Sequence, residues 1–252
     1  MAGMTEIDTA TSPWSKVLAI TVFAGLGFVV GATLANLLQV LGANLFHFRG
    51  NLSQLATLAS PPWWSIAATL LGLWIGLVAA AVLIVRMRWA PALSGQFRFK
   101  IGDLRFVGVG VGAQIVIALS YAPFHVGTKM NVPAQHLFGG AGKFIWLIGL
   151  MSVVGAPFCE EVLFRGVIYR GVCASLRAAN ERGAFALALV ISASLFALAH
   201  FELLQLPGLF FVGLLLGYVV QKTGRVMPAI ITHASFNAVA FSVVTIVQHG
   251  KI

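Results

Sequence analysis

Three short stretches of this chain carry residue types that can do chemistry. "EEVLFR" holds Glu160, Glu161 and Arg165, "FALAH" holds Phe196 and His200, and "HASFN" holds His233 and Asn237. On a helix, Arg165 sits one turn beyond Glu161, close enough for an ion pair that eases the burial of both groups. Glu160 points about 100° away from that pair and has only Leu163 and Phe164 at i+3 and i+4, so its partner must come from another helix. His200 shares a face with Phe196, and His233 shares one with Asn237. A carboxylate meeting two imidazoles can take a proton from water as a general base. It can also complete a zinc site of His200, His233 and Glu160 with one position left for water, or relay protons across a membrane.

The elements that must position these groups are membrane helices. The chain has 252 residues, 59% of them hydrophobic and only 9% charged, with a mean hydropathy of +0.94. A water-soluble globule could not cover itself with so little polar surface. Apolar runs at Val17 to Leu41, Ser65 to Val85, Phe106 to Pro123, Phe144 to Cys159, Ala184 to Phe201, Leu203 to Gln221 and Val226 to Gln248 include several long enough to cross about 30 Å of hydrocarbon. They lack the strict alternation of an outer-membrane barrel. The expected fold is an all-α polytopic membrane protein of about seven to eight transmembrane helices enclosing an intramembrane polar cavity. The expected organisation is a tail and three transmembrane helices in 1–143 and a catalytic helical core in 144–252.

The net charge of +9 does not imply a nucleic-acid partner, because the bases fall in short connections between apolar runs, where they orient a membrane protein. Arg86, Arg88, Arg98, Lys100 and Arg105 follow the second run and mark a cytoplasmic loop. Alternating spans then put the N-terminus, the Arg165 to Arg182 segment and Lys222 to Arg225 on the same side, so the protein is expected in the cell (inner) membrane with its N-terminus cytoplasmic. Of only seven acids, Glu6, Asp8, Asp103, Glu181 and Glu202 have bland positions in a tail, a basic loop, a turn or the end of a run. Glu160 and Glu161 do not. An ionisable group at mid-bilayer costs roughly 2.5–3.5 kcal/mol and usually faces a protein interior or a wet cavity.

Hairpin arithmetic brings the polar positions together. Glu160 and His200 are each twenty residues from Asn180 in the turn "RAANERG". Mirrored about the turn near Pro207, His200 falls level with Leu214, and His233 mirrored about "QKTGR" falls on Leu214 as well. An unbroken fourth span would leave Glu160 near one membrane face and His200 near the other. A break at Gly155-Ala156-Pro157, with Pro157 in the first turn of a new helix, removes that conflict. The connections at Gly42 to Trp64 and His125 to Lys143 read as loops, and His47, His125, His136 and His249 as interfacial or solvated. Gly166, Gly213 and Gly217 read as sites of close helix packing.

These residues resemble the CAAX-processing and bacteriocin-processing proteases, the CPBP or Abi family that includes the prenyl-protein endopeptidases. "EEVLFR" matches the family's EExxxR, "FALAH" its FxxxH and "HASFN" its HxxxN, in order, over about Phe144 to Gln248. The resemblance implies peptide-bond hydrolysis within the membrane on a membrane-associated or lipid-modified protein or peptide, with membrane lipid as the surrounding partner. It implies Glu160 as the base on water, His200 orienting that water, His233 and Asn237 as donors to the oxyanion, and Glu161 with Arg165 as their support. Members are often classed as metalloproteases, so zinc is a possible cofactor. The favoured reading requires none, because the chain has no H-E-x-x-H and a metal ligand does not easily serve also as the base. The rival readings are a proton-coupled transporter and a non-catalytic membrane immunity or scaffold protein.

Overall fold

A computed structural model describes residues 12–124 and 132–249; Glu6, Asp8 and His125 lie outside them. Among the described residues all regular structure is helical, as a bilayer demands of a chain that must pair its backbone polar groups within each segment. In chain order the helices are α1 (Pro13–Leu45), α2 (Leu52–Thr57), α3 (Trp63–Arg86), α4 (Arg105–Tyr121), α5 (Val132–Gly139), α6 (Gly142–Ala178), α7 (Ala184–Leu198), α8 (Leu206–Thr223) and α9 (Met227–His249). Six segments are long and apolar enough to cross a membrane, those of α1, α3, α4, α6, α8 and α9, and α7 is a shorter apolar helix. The chain is an integral membrane protein. The connections read as loops contain helix after all: α2 starts with a capping box in which Asn51 and Gln54 satisfy each other's backbone N–H groups, and α5 lies in the second.

α1 and α3 pack most extensively, through glycines that let the backbones touch. A Cβ on Gly76 would strike the carbonyl of Gly27 and the backbone of Gly31, and one on Gly72 would strike the backbone of Ala35. Small residues are how helices associate in lipid, where no hydrophobic force draws them together. Gly76→Ala is therefore expected to destabilise the protein by about 1–3 kcal/mol, read as a lower unfolding midpoint in detergent. The main core then runs from Val17 and Ile20 of α1 and Ile84 of α3 to Leu163, Ile168 and Val172 of α6, Phe196's helix α7 and Leu216 of α8. It draws residues from both sides of position 143.

The break expected at Gly155-Ala156-Pro157 is absent. α6 winds continuously from Gly142 to Ala178, with π-helical turns at Met151–Gly155 and Val162–Tyr169. A true break in the hydrocarbon would leave backbone groups unpaired, whereas a widened turn accommodates the missing N–H and bulky ring of Pro157. Gly155, just before it, gives its space to the Trp74 indole of α3. The second π segment is buried along its whole length and contains Arg165. Arg165 is thus no terminal topology charge; it is fully buried inside the bundle.

The basic end of the bundle is organised by a buried acid. Asp103, only 3% exposed, accepts two hydrogen bonds from Arg225, at 2.6 and 2.8 Å. Arg225 also donates to the Arg98 carbonyl, and the hydrogen bonds to Asp103 push its pKa further above the ordinary guanidinium value. The backbone N–H groups of Val226 and Met227 both donate to the Gln96 carbonyl at 3.1 Å. The 87–104 segment thereby grips the first turn of α9, the helix that carries His233. Asp103, bland by sequence, anchors one of the site's helices.

Candidate active site

Glu160 and Glu161 project from the junction between an α and a π segment of α6, so adjacent residues present their carboxylates to different neighbours. Glu160 Oε2 lies 4.0 Å from His200 Nε2 and 3.9 Å from His233 Nε2. His200 is in the turn that ends α7, and His233 is in the second turn of α9. Glu161 is 0% exposed, and its Oε1 accepts from Arg165 Nη1 and from His233 Nδ1, each at 3.0 Å. Arg165 Nη2 continues to the Gly213 carbonyl of α8 at 3.1 Å. Four helices therefore meet in one polar cluster, at the level of Gly213 where the arithmetic pointed to Leu214.

Hydrogen bonding sets the imidazole tautomers. His200 Nδ1 is 2.7 Å from the Phe196 carbonyl, which can only accept, so this nitrogen carries a proton. The same reasoning puts a proton on His233 Nδ1, facing the Glu161 carboxylate. In their neutral forms both rings then present the Nε2 lone pair toward Glu160. Glu160 Oε2 is itself buried and has no hydrogen-bond partner among the described residues. A water beside these atoms can donate its two hydrogens to two of them and accept from the third when that group is protonated.

Phe196, fully buried, holds the rings in place. Its centroid is 4.7 Å from that of His200, 5.6 Å from that of His233 and 5.3 Å from that of Phe164, all edge-on. The Arg165 guanidinium lies 4.3 Å from the same centroid, a cation–π contact strengthened by exclusion of water. Ser192 of α7 donates to the Phe164 carbonyl at 2.9 Å, satisfying an acceptor within the π segment. Asn237 has a different immediate partner: its Nδ2 donates to the Ser152 carbonyl, at 2.9 Å, in the first π turn of α6. One of its two N–H groups is thus committed to holding α9 against α6. His136, at the last turn of α5, and His47, after α1, take no part in the cluster.

Zinc chemistry would call on Glu160, His200 and His233. A tetrahedral ion with bonds of about 2.0–2.1 Å separates its ligands by roughly 3.3–3.4 Å, less than the spacings from Glu160 here. Among the described residues no set of three or more His, Cys, Asp or Glu side chains has metal-holding geometry. The residues as arranged do not fit the ion.

A cavity of about 750 Å³ adjoins the cluster between α1, α6 and the α7–α8 turn, lined by Phe28, Leu163, Phe164, Leu195, Phe201 and Glu202 among others. His200 stands between two lining residues, Ala199 and Phe201. Sequence reasoning singled out neither this cavity nor the Glu161–His233 bond. No signal in one helix reveals which face its neighbour will present. The polar positions were visible because charge and imidazole are rare in apolar runs, but Phe28 and Leu195 look like any lipid-facing residue.

Fold and cluster together define an all-helical integral membrane protein with a carboxylate–imidazole centre inside the bundle. Residues 142–239 match the Rce1-like family, described as type II CAAX prenyl endopeptidase Rce1-like. The chain is also 28% identical over 120 residues to the Membrane-embedded CAAX protease MroQ of Staphylococcus aureus (strain USA300), over 48% of each chain. It thus matches about half the length of that curated relative. No solved structure matches the chain. These likenesses are to CAAX proteases, and the family match falls on the part of the chain that carries Glu160, Glu161, Arg165, His200, His233 and Asn237.

Proposed function

We propose that this protein is an intramembrane endopeptidase that hydrolyses a peptide bond of a membrane-associated or lipid-modified protein by glutamate-activated water. The observation that carries the reading is the placement of Glu160 Oε2 opposite the Nε2 atoms of His200 and His233, at 4.0 and 3.9 Å. Water held among these three atoms gives a proton to Glu160 while its oxygen attacks the substrate carbonyl. His200 orients the water. Charge grows on the carbonyl oxygen, and His233, which takes a proton from solvent onto Nε2 before the attack and keeps it through the cycle, donates a hydrogen bond to it. Glu161 supports that imidazolium through Nδ1, as the carboxylate of a catalytic triad does. The second N–H of Asn237 supplies the other oxyanion donor. As the tetrahedral intermediate collapses, the C–N bond breaks and Glu160 returns its proton to the leaving amine.

The test is to express wild type and Glu160→Gln in the same membranes and identify, by mass spectrometry of peptide termini, the peptides that accumulate uncut only with the variant. Proteolysis predicts a reproducible set of uncut peptides whose products appear with wild type. Identical profiles from two equally folded proteins would overturn it. Incubation with a strong chelator is expected to leave cleavage unchanged, with less than one equivalent of zinc in the purified protein; loss of activity restored by zinc would replace the metal-free mechanism.

A further inference from the structure

The end of the bundle remote from His200 holds a second concave site. A cavity of about 290 Å³ lies where α6 ends, α7 begins and α8 ends, bounded by Arg170, Ala174, Arg177, Phe185, Gln221 and Gly224 among others. Arg170 and Arg177 are two turns apart on α6, so both guanidiniums lie on one face. Ala174 between them leaves the floor low. Arg170 is half-buried and anchored through Nη1, which donates to the Ala92 carbonyl at 3.1 Å and more weakly to that of Gly166. Its other N–H groups make no hydrogen bond among the described residues. Arg177 lies 5.1 Å from the Phe185 ring centroid, which fixes it beside an apolar surface. Neither arginine forms an ion pair with an acid among the described residues, although Glu181 is in the adjoining turn.

Two guanidiniums lining one cavity, neither paired with a carboxylate among the described residues, offer N–H donors to the oxygens of a phosphate. Spanning helices end here, at headgroup depth, and exposed Phe185 flanks the opening where acyl chains begin. We propose that Arg170 and Arg177 bind the phosphate of an anionic phospholipid, in a site separate from the Glu160 cluster and independent of the protease reading. Free phosphate offers the same charged oxygens but has no use for the apolar flank.

The full chain in phosphatidylcholine nanodiscs containing a minority of phosphatidylglycerol is analysed by native mass spectrometry. Wild type is expected to retain phosphatidylglycerol at roughly tenfold or more its bulk proportion. Arg177→Gln, at a side chain that makes no hydrogen bond or ion pair among the described residues, is expected to lose most of that enrichment, and R170Q/R177Q all of it. R86Q/R88Q removes the same charge from exposed positions on the same end and is expected to keep it. Equal loss in R86Q/R88Q would reduce the effect to diffuse attraction and overturn the site, as would unchanged enrichment in Arg177→Gln. In phosphatidylcholine-only discs, saturable uptake of inorganic phosphate without phosphatidylglycerol enrichment in the mixed discs would overturn the lipid assignment. Should R170Q/R177Q fold poorly, Arg177→Gln decides the matter.

Discussion

Replacing Glu160 by Gln is expected to lower kcat/KM on a peptide captured from the membranes by about 10²–10⁴-fold, the usual worth of a positioned proton transfer. The unfolding midpoint should stay close to wild type. The substitution keeps the size of the side chain and removes a charge whose Oε2 is buried with no hydrogen-bond partner among the described residues, so a structural penalty has little to act on. That separation between activity and stability distinguishes the candidate classes. An immunity or scaffold protein would keep its phenotype with glutamine at this position. A proton-coupled transporter would lose substrate flux but release no peptide termini in the wild type either. Retention of full cleavage by Glu160→Gln would remove Glu160 as the base and leave the two histidines to be explained anew.

Arg165→Met should have the largest effect on stability. Arg165 is fully buried and joins Glu161, the Gly213 carbonyl and the Phe196 ring. Its removal leaves the Glu161 carboxylate buried with only His233 as a partner, and breaking a buried pair in this way costs about 3–5 kcal/mol. Combining Arg165→Met with Glu161→Gln removes both charges and is expected to recover most of that loss. Activity should not recover with it, because Glu161 also accepts the hydrogen bond from His233 Nδ1 and so supports the imidazolium of the transition state. A double variant as active as wild type would confine Glu161 to a structural role. A double variant no more stable than Arg165→Met would show that the aromatic contact of the guanidinium, not its charge pairing, dominates.

How far single-helix reasoning reached is clearest in α6. The four-residue spacing of Glu161 and Arg165 made their pairing legible, since one turn of helix brings them together in any fold. The absence of a basic residue at the matching positions after Glu160 made its need for a distant partner equally legible. Proline at 157 marked a disturbance too, but the disturbance is a widened turn where a chain break was expected. The choice depends on the packing of Trp74 into the space beside Gly155 and on the bond from Asn237 to Ser152, which belong to other helices.

From composition and hydropathy the chain was bound to be a helical membrane protein, because so few polar side chains cannot face water and a backbone in lipid must pair within itself. The identities and rough depths of Glu160, Glu161, Arg165, His200 and His233 were also determined there, since helix rise converts residue counts into height. Rotation about each helix axis was not. A small turn of α9 carries His233 from Glu161 to lipid without altering its depth, so the bond between them was decided by packing among four helices. The Asp103 clamp, the apolar cavity beside His200 and the pairing of Arg170 with Arg177 over a common hollow have the same origin: each joins residues whose sequence separation says nothing about the azimuth at which their helices meet.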